Sequence, residues 1–82
     1  MQMPIVTYDP EADVLYVEFS DAEVAETVNL DDLRLIDYSR DGRIVGIEFV
    51  SASQGVDLRD IPFAPMVEKA IGGEGLPFKL YA

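Results

Sequence analysis

The stretch from Leu33 to Val50 sets two apolar, β-branched runs on either side of Asp41-Gly42. That arrangement leaves a chain few choices. Asp-Gly between alternating hydrophobic runs is the strongest short-range signal for a β-hairpin, because glycine adopts the positive φ of a tight turn without steric cost. With Arg40-Asp41-Gly42 as a type I turn closed by a left-handed Gly42, Ser39 faces Arg43, Tyr38 faces Ile44, Ile36 faces Gly46 and Arg34 faces Glu48. A two-residue loop would set Arg40 against Arg43 and Leu35 against Glu48, pairing like charges and mixing polarities. The first register is therefore expected, with an Arg34–Glu48 ion pair across the strands. It places Leu33, Leu35, Val45, Ile47 and Phe49 on one face, with Asp37 near the turn. Ile36, Tyr38, Ile44 and Val50 fall on the other. A sheet with a wet side alternates more cleanly than this. The hairpin is expected to be central, with cover on both of its faces.

The flanking segments extend the hairpin into a sheet. Met3 to Tyr8 reads as a strand, and Pro4 confines it to an edge or a strand start. Asp9-Pro10-Glu11-Ala12-Asp13 is a turn in which Asp9 accepts the backbone N–H of Glu11 or Ala12, while Pro10 pre-sets φ at the first turn position. Val14 to Phe19 returns as a second strand. Glu23 to Leu30 alternates as a third, weakened by Glu26 on its apolar side. Beyond the Ser51–Gly55 loop, Val56-Asp57-Leu58 forms a brief extended piece. Pro65 suits a first helical position, and Met66, Val67, Ala70 and Ile71 share one face of a helix over 65–72 that Gly72-Gly73 stops. The tail over 76–81 alternates like a strand, with Phe78 and Leu80 on one face, and pairs either within the chain or with another copy. The expected fold is a single α+β domain over 1–82, mainly β. It is an antiparallel β-meander of four to six short strands over about 3–50, with one short C-terminal helix packed on one face.

Charge and missing residue types narrow the chemistry. The net charge is −10 and unevenly placed: nine of the sixteen carboxylates precede Arg34, where no Lys or Arg occurs, whereas seven acids meet six bases from residue 34 onward. Such a surface repels phosphate, which argues against nucleic acid and anionic membranes as partners. It either solvates a small protein or docks a basic one. No apolar run approaches the ~20 residues of a membrane span, and no charged-then-apolar leader opens the chain, so the cytoplasm is the expected compartment. Histidine and cysteine are both absent, which removes the ordinary triad, an imidazole base, thiolate chemistry and the usual zinc sites. No cofactor is expected: Gly72-Gly73-Glu74-Gly75 lacks the Lys-Ser/Thr ending and the preceding strand of a phosphate loop.

Carboxylates are what remain. Asp37, Ser39, Asp41, Gly42 and Glu48 fall at positions one, three, five, six and twelve of a calcium-binding loop. That loop requires a helix on each side, and both flanks here have strand periodicity; as a hairpin, Asp37 and Glu48 would stand on opposite faces. Asp9, Glu11 and Asp13 form a second carboxylate group, for which turn capping and surface exposure already account. Candidate metal ligands are thus Asp9, Asp13 and Asp37, and no catalytic residue is assigned. Tyr8, Tyr16 and Tyr38 are read as sheet cover with their hydroxyls at the rim.

Tyr8-Asp9-Pro10-Glu11-Ala12-Asp13 with Leu15-Tyr16, then Asp37-Tyr38 with Asp41-Gly42-Arg43-Ile44-Val45-Gly46-Ile47-Glu48, resemble the small prokaryotic family called domain of unknown function 2283, over residues 3–53. The resemblance implies a compact antiparallel β domain with no assigned catalytic residues. Some relatives are encoded beside small toxin-like proteins, which implies an antitoxin-like role. Residues 54–82 lie outside the motif.

Coverage supplies the functional expectation. A helix of about two turns, ~12 Å long, cannot cover both faces of a sheet whose strands lie ~4.8 Å apart. The apolar surface left over must curl onto itself, meet a second copy or bind another protein. We expect a non-enzymatic protein-interaction module, a homodimer joined through the sheet or the tail, with a basic protein as a further partner. Its interaction residues are Ile36, Tyr38, Ile44, Phe78, Leu80 and Tyr81. The alternative is a small-ligand or cation-binding protein, or a weak metal-dependent hydrolase, that gathers Asp9, Asp13 or Asp37 around a hard metal.

Overall fold

A computed structural model describes residues 4–81 of the chain. Five strands, β1 (Ile5–Asp9), β2 (Val14–Glu18), β3 (Glu26–Asp31), β4 (Arg34–Tyr38) and β5 (Ile44–Val50), form one antiparallel sheet in the order β1-β2-β5-β4-β3. The β4–β5 hairpin forms about the predicted turn and is interior, the position expected from the apolar residues in both of its alternating sets. The sheet is not a simple meander, however: β2 pairs with β5, and the chain after β2 passes the hairpin tip to place β3 on the far edge.

At the turn the expected register holds. The Ser39 N–H donates to the Arg43 carbonyl at 2.8 Å, the Gly42 N–H donates to the Ser39 carbonyl at 3.0 Å, and Gly42 is left-handed with φ 84°. Tyr38 faces Ile44, but Asp37 faces Gly46, so Val45 has no partner on β4. This is a β-bulge, and beyond it every pairing moves by one residue. Ile36 faces Ile47, Leu35 faces Glu48 and Arg34 faces Phe49, in place of the expected Ile36–Gly46 and Arg34–Glu48. Because side chains alternate, a one-residue slip turns a strand over. The bulge therefore puts Ile36, Tyr38 and Ile44 on the same face as Ile47 and Phe49. Val6, Leu15 and Val17 complete that face of the core.

The other face carries Thr7, Tyr16, Glu18, Thr27, Leu35, Asp37, Glu48 and Val50, none of them buried. The expectation of cover on both faces is thus corrected: one face is dry and the other wet. What covers the dry face is the C-terminal third of the chain. A short 3-10 turn (Ala52–Gln54), β6 (Val56–Asp57), α1 (Ala64–Gly73) and β7 (Leu80–Tyr81) bring Ala52, Val56, Leu58, Ile61, Val67 and Ile71 into the same core. The tail pairs within the chain, parallel to β6, with Val56 opposite Leu80 and Asp57 opposite Tyr81. It is shorter than the span 76–81. In α1 the predicted face is buried at Val67, Ala70 and Ile71. The helix runs through Gly72-Gly73, and the left-handed residue that follows is Gly75, with φ 69°. No helix of the described residues is long and apolar enough to cross a membrane.

One charge lies inside. Arg34, turned inward by the bulge, is 7 % exposed and is the buried charged residue among those described. Its Nε and Nη2 donate to Asp31 Oδ2 at 3.0 and 2.8 Å, and its Nη1 donates to the Asp57 carbonyl at 3.2 Å and to the Arg59 carbonyl. Asp57 Oδ1 lies 3.7 Å from Nη1. A buried guanidinium is tolerated only when its donors are met in this way, and here meeting them ties the C-terminal segment to β4. The Asp31 carboxyl is held below its ordinary range by the Arg34 hydrogen bonds and by the Leu33 N–H. Asp57 is held lower still by the Arg59 side chain and N–H, with the charge of Arg34 adding to them. Both titrate lower folded than unfolded. They therefore contribute stability at neutral pH that is lost as pH falls from about 4 through the depressed folded values. Arg34→Ala is expected to lower the unfolding free energy by about 3 kcal/mol, the low end for a broken buried pair because Asp31 stays half-exposed, and to shrink the acid-dependent part of the stability. Urea midpoints between pH 7 and pH 3 measure both; an unchanged midpoint would show that the cluster holds nothing together.

Candidate functional site

The three carboxylates proposed as metal ligands are each committed elsewhere. Asp9 caps its own turn as predicted, its Oδ1 accepting the N–H groups of Glu11 at 3.0 Å and Ala12 at 3.2 Å. Asp13, left-handed with φ 57°, accepts the Tyr8 hydroxyl at 2.8 Å and the Ser53 N–H at 2.9 Å on Oδ1, and the Ser53 hydroxyl at 2.6 Å on Oδ2. The Ser53 hydroxyl, followed by that of Tyr8, holds its carboxyl below the ordinary range. Its job is to fasten the β1–β2 turn to the loop after β5. Asp37 accepts the Tyr16 hydroxyl at 2.9 Å and the Thr27 hydroxyl at 2.6 Å. Among the described residues no group of three or more His, Cys, Asp or Glu side chains is placed to hold a metal ion. Asp37 and Glu48 do share the wet face, contrary to the unbulged register. Ser39 and Asp41, between them in the calcium-loop pattern, instead bond each other at the turn.

The wet face has a polar centre with a structural cause. Gly46 lets the Tyr16 ring lie flat across β5, where a Cβ would strike the ring. That path carries the hydroxyl from β2 to Asp37 on β4, and Thr27 on β3 completes a line across the sheet. Burial raises the Tyr16 pKa above the ordinary phenol value. The Asp37 hydrogen bond and the charges of Asp37, Glu18 and Glu48 raise it further.

The six proposed interaction residues divide. Ile36 is buried and belongs to the core; Phe78 and Leu80 are half-buried against it, and the Phe78 ring meets Tyr8 edge-on at 4.8 Å. Tyr81 is exposed, with Lys79 Nζ 5.4 Å from its ring centre. Tyr38 and Ile44 reach the surface in a groove at the hairpin end of the sheet, which Phe19 and Phe63 also line. Phe63 holds the left-handed conformation, φ 57°, at the start of α1; its half-exposed ring stands 5.8 Å from that of Phe19. A bulky residue seldom takes that conformation.

The groove's wall at Asp21, Ala22 and Glu23 begins the longest exposed stretch of the molecule. Every residue from Asp21 to Leu33 is exposed, including all of β3. Val24, Val28, Leu30 and Leu33 lie there 38–50 % exposed, among acids and with no base. None of these four was among the residues expected to meet a partner. The signal was present in Glu26: a charge on the inward side of a strand marks a strand with no inside.

A family model described as "Protein of unknown function (DUF2283)" matches residues 5–53. No curated protein and no solved structure matches the chain.

The Tyr16 network gives a titration test. Because the folded phenol is raised, it contributes stability below the ordinary pKa of about 10 that is lost as pH climbs past it. Asp37→Asn is expected to move the Tyr16 phenolate transition down, but not to the ordinary value, since burial persists. Absorbance near 295 nm follows it in a chain whose other tyrosines are phenylalanine. A transition that Asp37→Asn leaves in place would exclude the hydrogen bond as a cause.

Proposed function

The chain belongs to the DUF2283 family of proteins of unknown function, and on that premise we propose that it is a protein-interaction module that binds a basic protein without catalysing a reaction. The observation that carries this reading is the run of exposed residues from Asp21 to Leu33, with its apolar side chains and its acids, all of them except Asp31 outside any ion pair among the described residues. Val24, Val28, Leu30 and Leu33 are exposed within a single stretch of chain, and exposed apolar residues that gather mark an interaction surface more often than scattered ones do. Opposite charge steers the encounter and excludes acidic competitors. The adjoining groove adds aromatic side chains, Phe19, Tyr38 and Phe63, of the kind that anchor protein interfaces. Neutralising a basic partner in an antitoxin-like manner is a role such a surface serves.

A homodimer is less well supported by the same features. Two copies meeting through their wet faces would bring Glu18, Asp37 and Glu48 of each against the other, and the tail, the segment most suited to exchange, is already paired with β6. Pull-down with the tagged chain tests the reading. Proteins held at about 0.1 M salt and released toward about 1 M, where the screening length shrinks from ~10 to ~3 Å, are expected to be basic. The variant Glu23→Lys/Glu26→Lys/Asp32→Lys is expected to lose them while its unfolding free energy from urea titration stays within about 0.5 kcal/mol of wild type. Retention of neutral or acidic proteins only, or equal retention by the variant, overturns the reading.

A further inference from the structure

We infer that β3 is a landing edge for an extended segment of the partner, which adds to the sheet as a sixth strand. This rests on the docking reading above and names how the partner is held. The sheet has two edges, and they are treated differently. β1 begins after Pro4, has Val6 buried, meets α1 and is flanked by the Tyr8–Phe78 contact; proline and cover are common protections of an edge. β3 has neither. All six of its residues are exposed, on both faces, and among the described residues no strand lies beside its outer backbone groups. Its protections are the charge of Glu26 on the inward side and a register shift between Asn29 and Asp31, which confines the regular edge to Glu26–Asn29.

Charge selects the occupant. Glu23 and Glu26 stand at one end of this short edge and Asp32 at the other, and among the described residues none of the three is in an ion pair. Asp31 is spoken for by Arg34 and the Leu33 N–H. A second copy of β3 would bring its own acids against these, and in the antiparallel register that sets Val28 beside Asn29 it places Glu26 opposite Asp31. Like charges directly opposite are destabilising. An extended segment with an apolar residue across from Val28, and Lys or Arg about three residues to either side, meets every feature of the edge. Main-chain hydrogen bonds then supply affinity and the flanking charges supply selectivity.

Amide NMR spectra of the full chain, with model peptides, decide this. One peptide is Lys-Thr-Lys-Val-Thr-Val-Lys-Thr-Lys; its twin has equal charge but N-methyl groups on the three central amides, so it cannot pair on either edge. The plain peptide is expected to shift amides of Ala25–Leu30 and to protect those among them that point outward, with the twin about tenfold weaker or worse. Val28→Lys, which puts a like charge in the middle of the edge, is expected to abolish the plain peptide's effect while the spectrum outside β3 and the facing residues of β4 stays unchanged. Equal binding of the two peptides, with shifts spread over Glu18, Asp41 and Glu48, overturns strand addition and leaves the basic-partner reading standing. Failure of both peptides to bind at about 0.02 M salt overturns both. Protection of β3 that grows with protein concentration in the absence of peptide overturns the inference in favour of a second copy.

Discussion

The carbonyl of Val45 accepts two backbone N–H groups, from Phe19 at 2.7 Å and from Ser20 at 3.2 Å. Val45 itself has no partner on β4. This extra residue is the hinge on which the architecture turns. Without it, Ile36 would stand on the face opposite Ile47, Arg34 would point outward to Glu48, and neither face could be dry. With it, the hairpin's apolar residues gather on one side and its polar ones on the other. The same bulge holds the chain end of β2 as it leaves the sheet, and so sets where the crossing to β3 begins. It also brings Gly46 opposite both Asp37 and Glu18, the position that lets Tyr16 span the wet face.

Once one face is dry, the C-terminal third has a defined task. The segment is short, and a chain of this length hides only about 60–65 % of its unfolded surface. It is fastened at the β4 end through Arg34 and reaches back across β5 and β2 to β1, where α1 and Phe78 lie. Among the described residues nothing remains to cover β3, which stays in the sheet through its ladder with β4 and buries none of its residues. The exposed strand and the buried arginine are therefore two ends of one packing problem. Cover that begins at Arg34 leaves everything beyond β4 in solvent.

Features decided by near neighbours in the chain were legible in the sequence. Gly42 takes the turn, Asp9 caps Glu11 and Ala12, and Val67, Ala70 and Ile71 face inward from the helix, each for a reason contained within a few residues. The bulge was not legible, because it is set by the pairing of β5 with β2, about thirty residues away along the chain, and by N–H groups that arrive from Phe19 and Ser20. Pairing preferences within one hairpin carry no trace of that second neighbour, and a slip of one residue reverses every side chain beyond it. This is why Ile36 is core and not surface, and why Asp37 and Glu48 share a face. Gly72 and Gly73 do not stop α1 because tertiary packing at Ala70 and Ile71 outweighs their weak helix propensity. The apolar residues of β3 escape notice as long as alternation is equated with an inward side, although Glu26 and the absence of any base before Arg34 point the other way.

The most direct test of an uncovered edge is amide hydrogen exchange, residue by residue, on the chain alone at low concentration. Exchange reports local opening separately from global unfolding. The amides of Val17, Ile47 and Phe49 are expected to be the slowest, exchanging only with global unfolding, while the outward amides of β3 exchange at close to unfolded-chain rates and those bonded to β4 fall between. If both sets of β3 amides are as slow as that of Ile47, the edge is already occupied in the free protein, and β3 is not the open strand that a partner could extend.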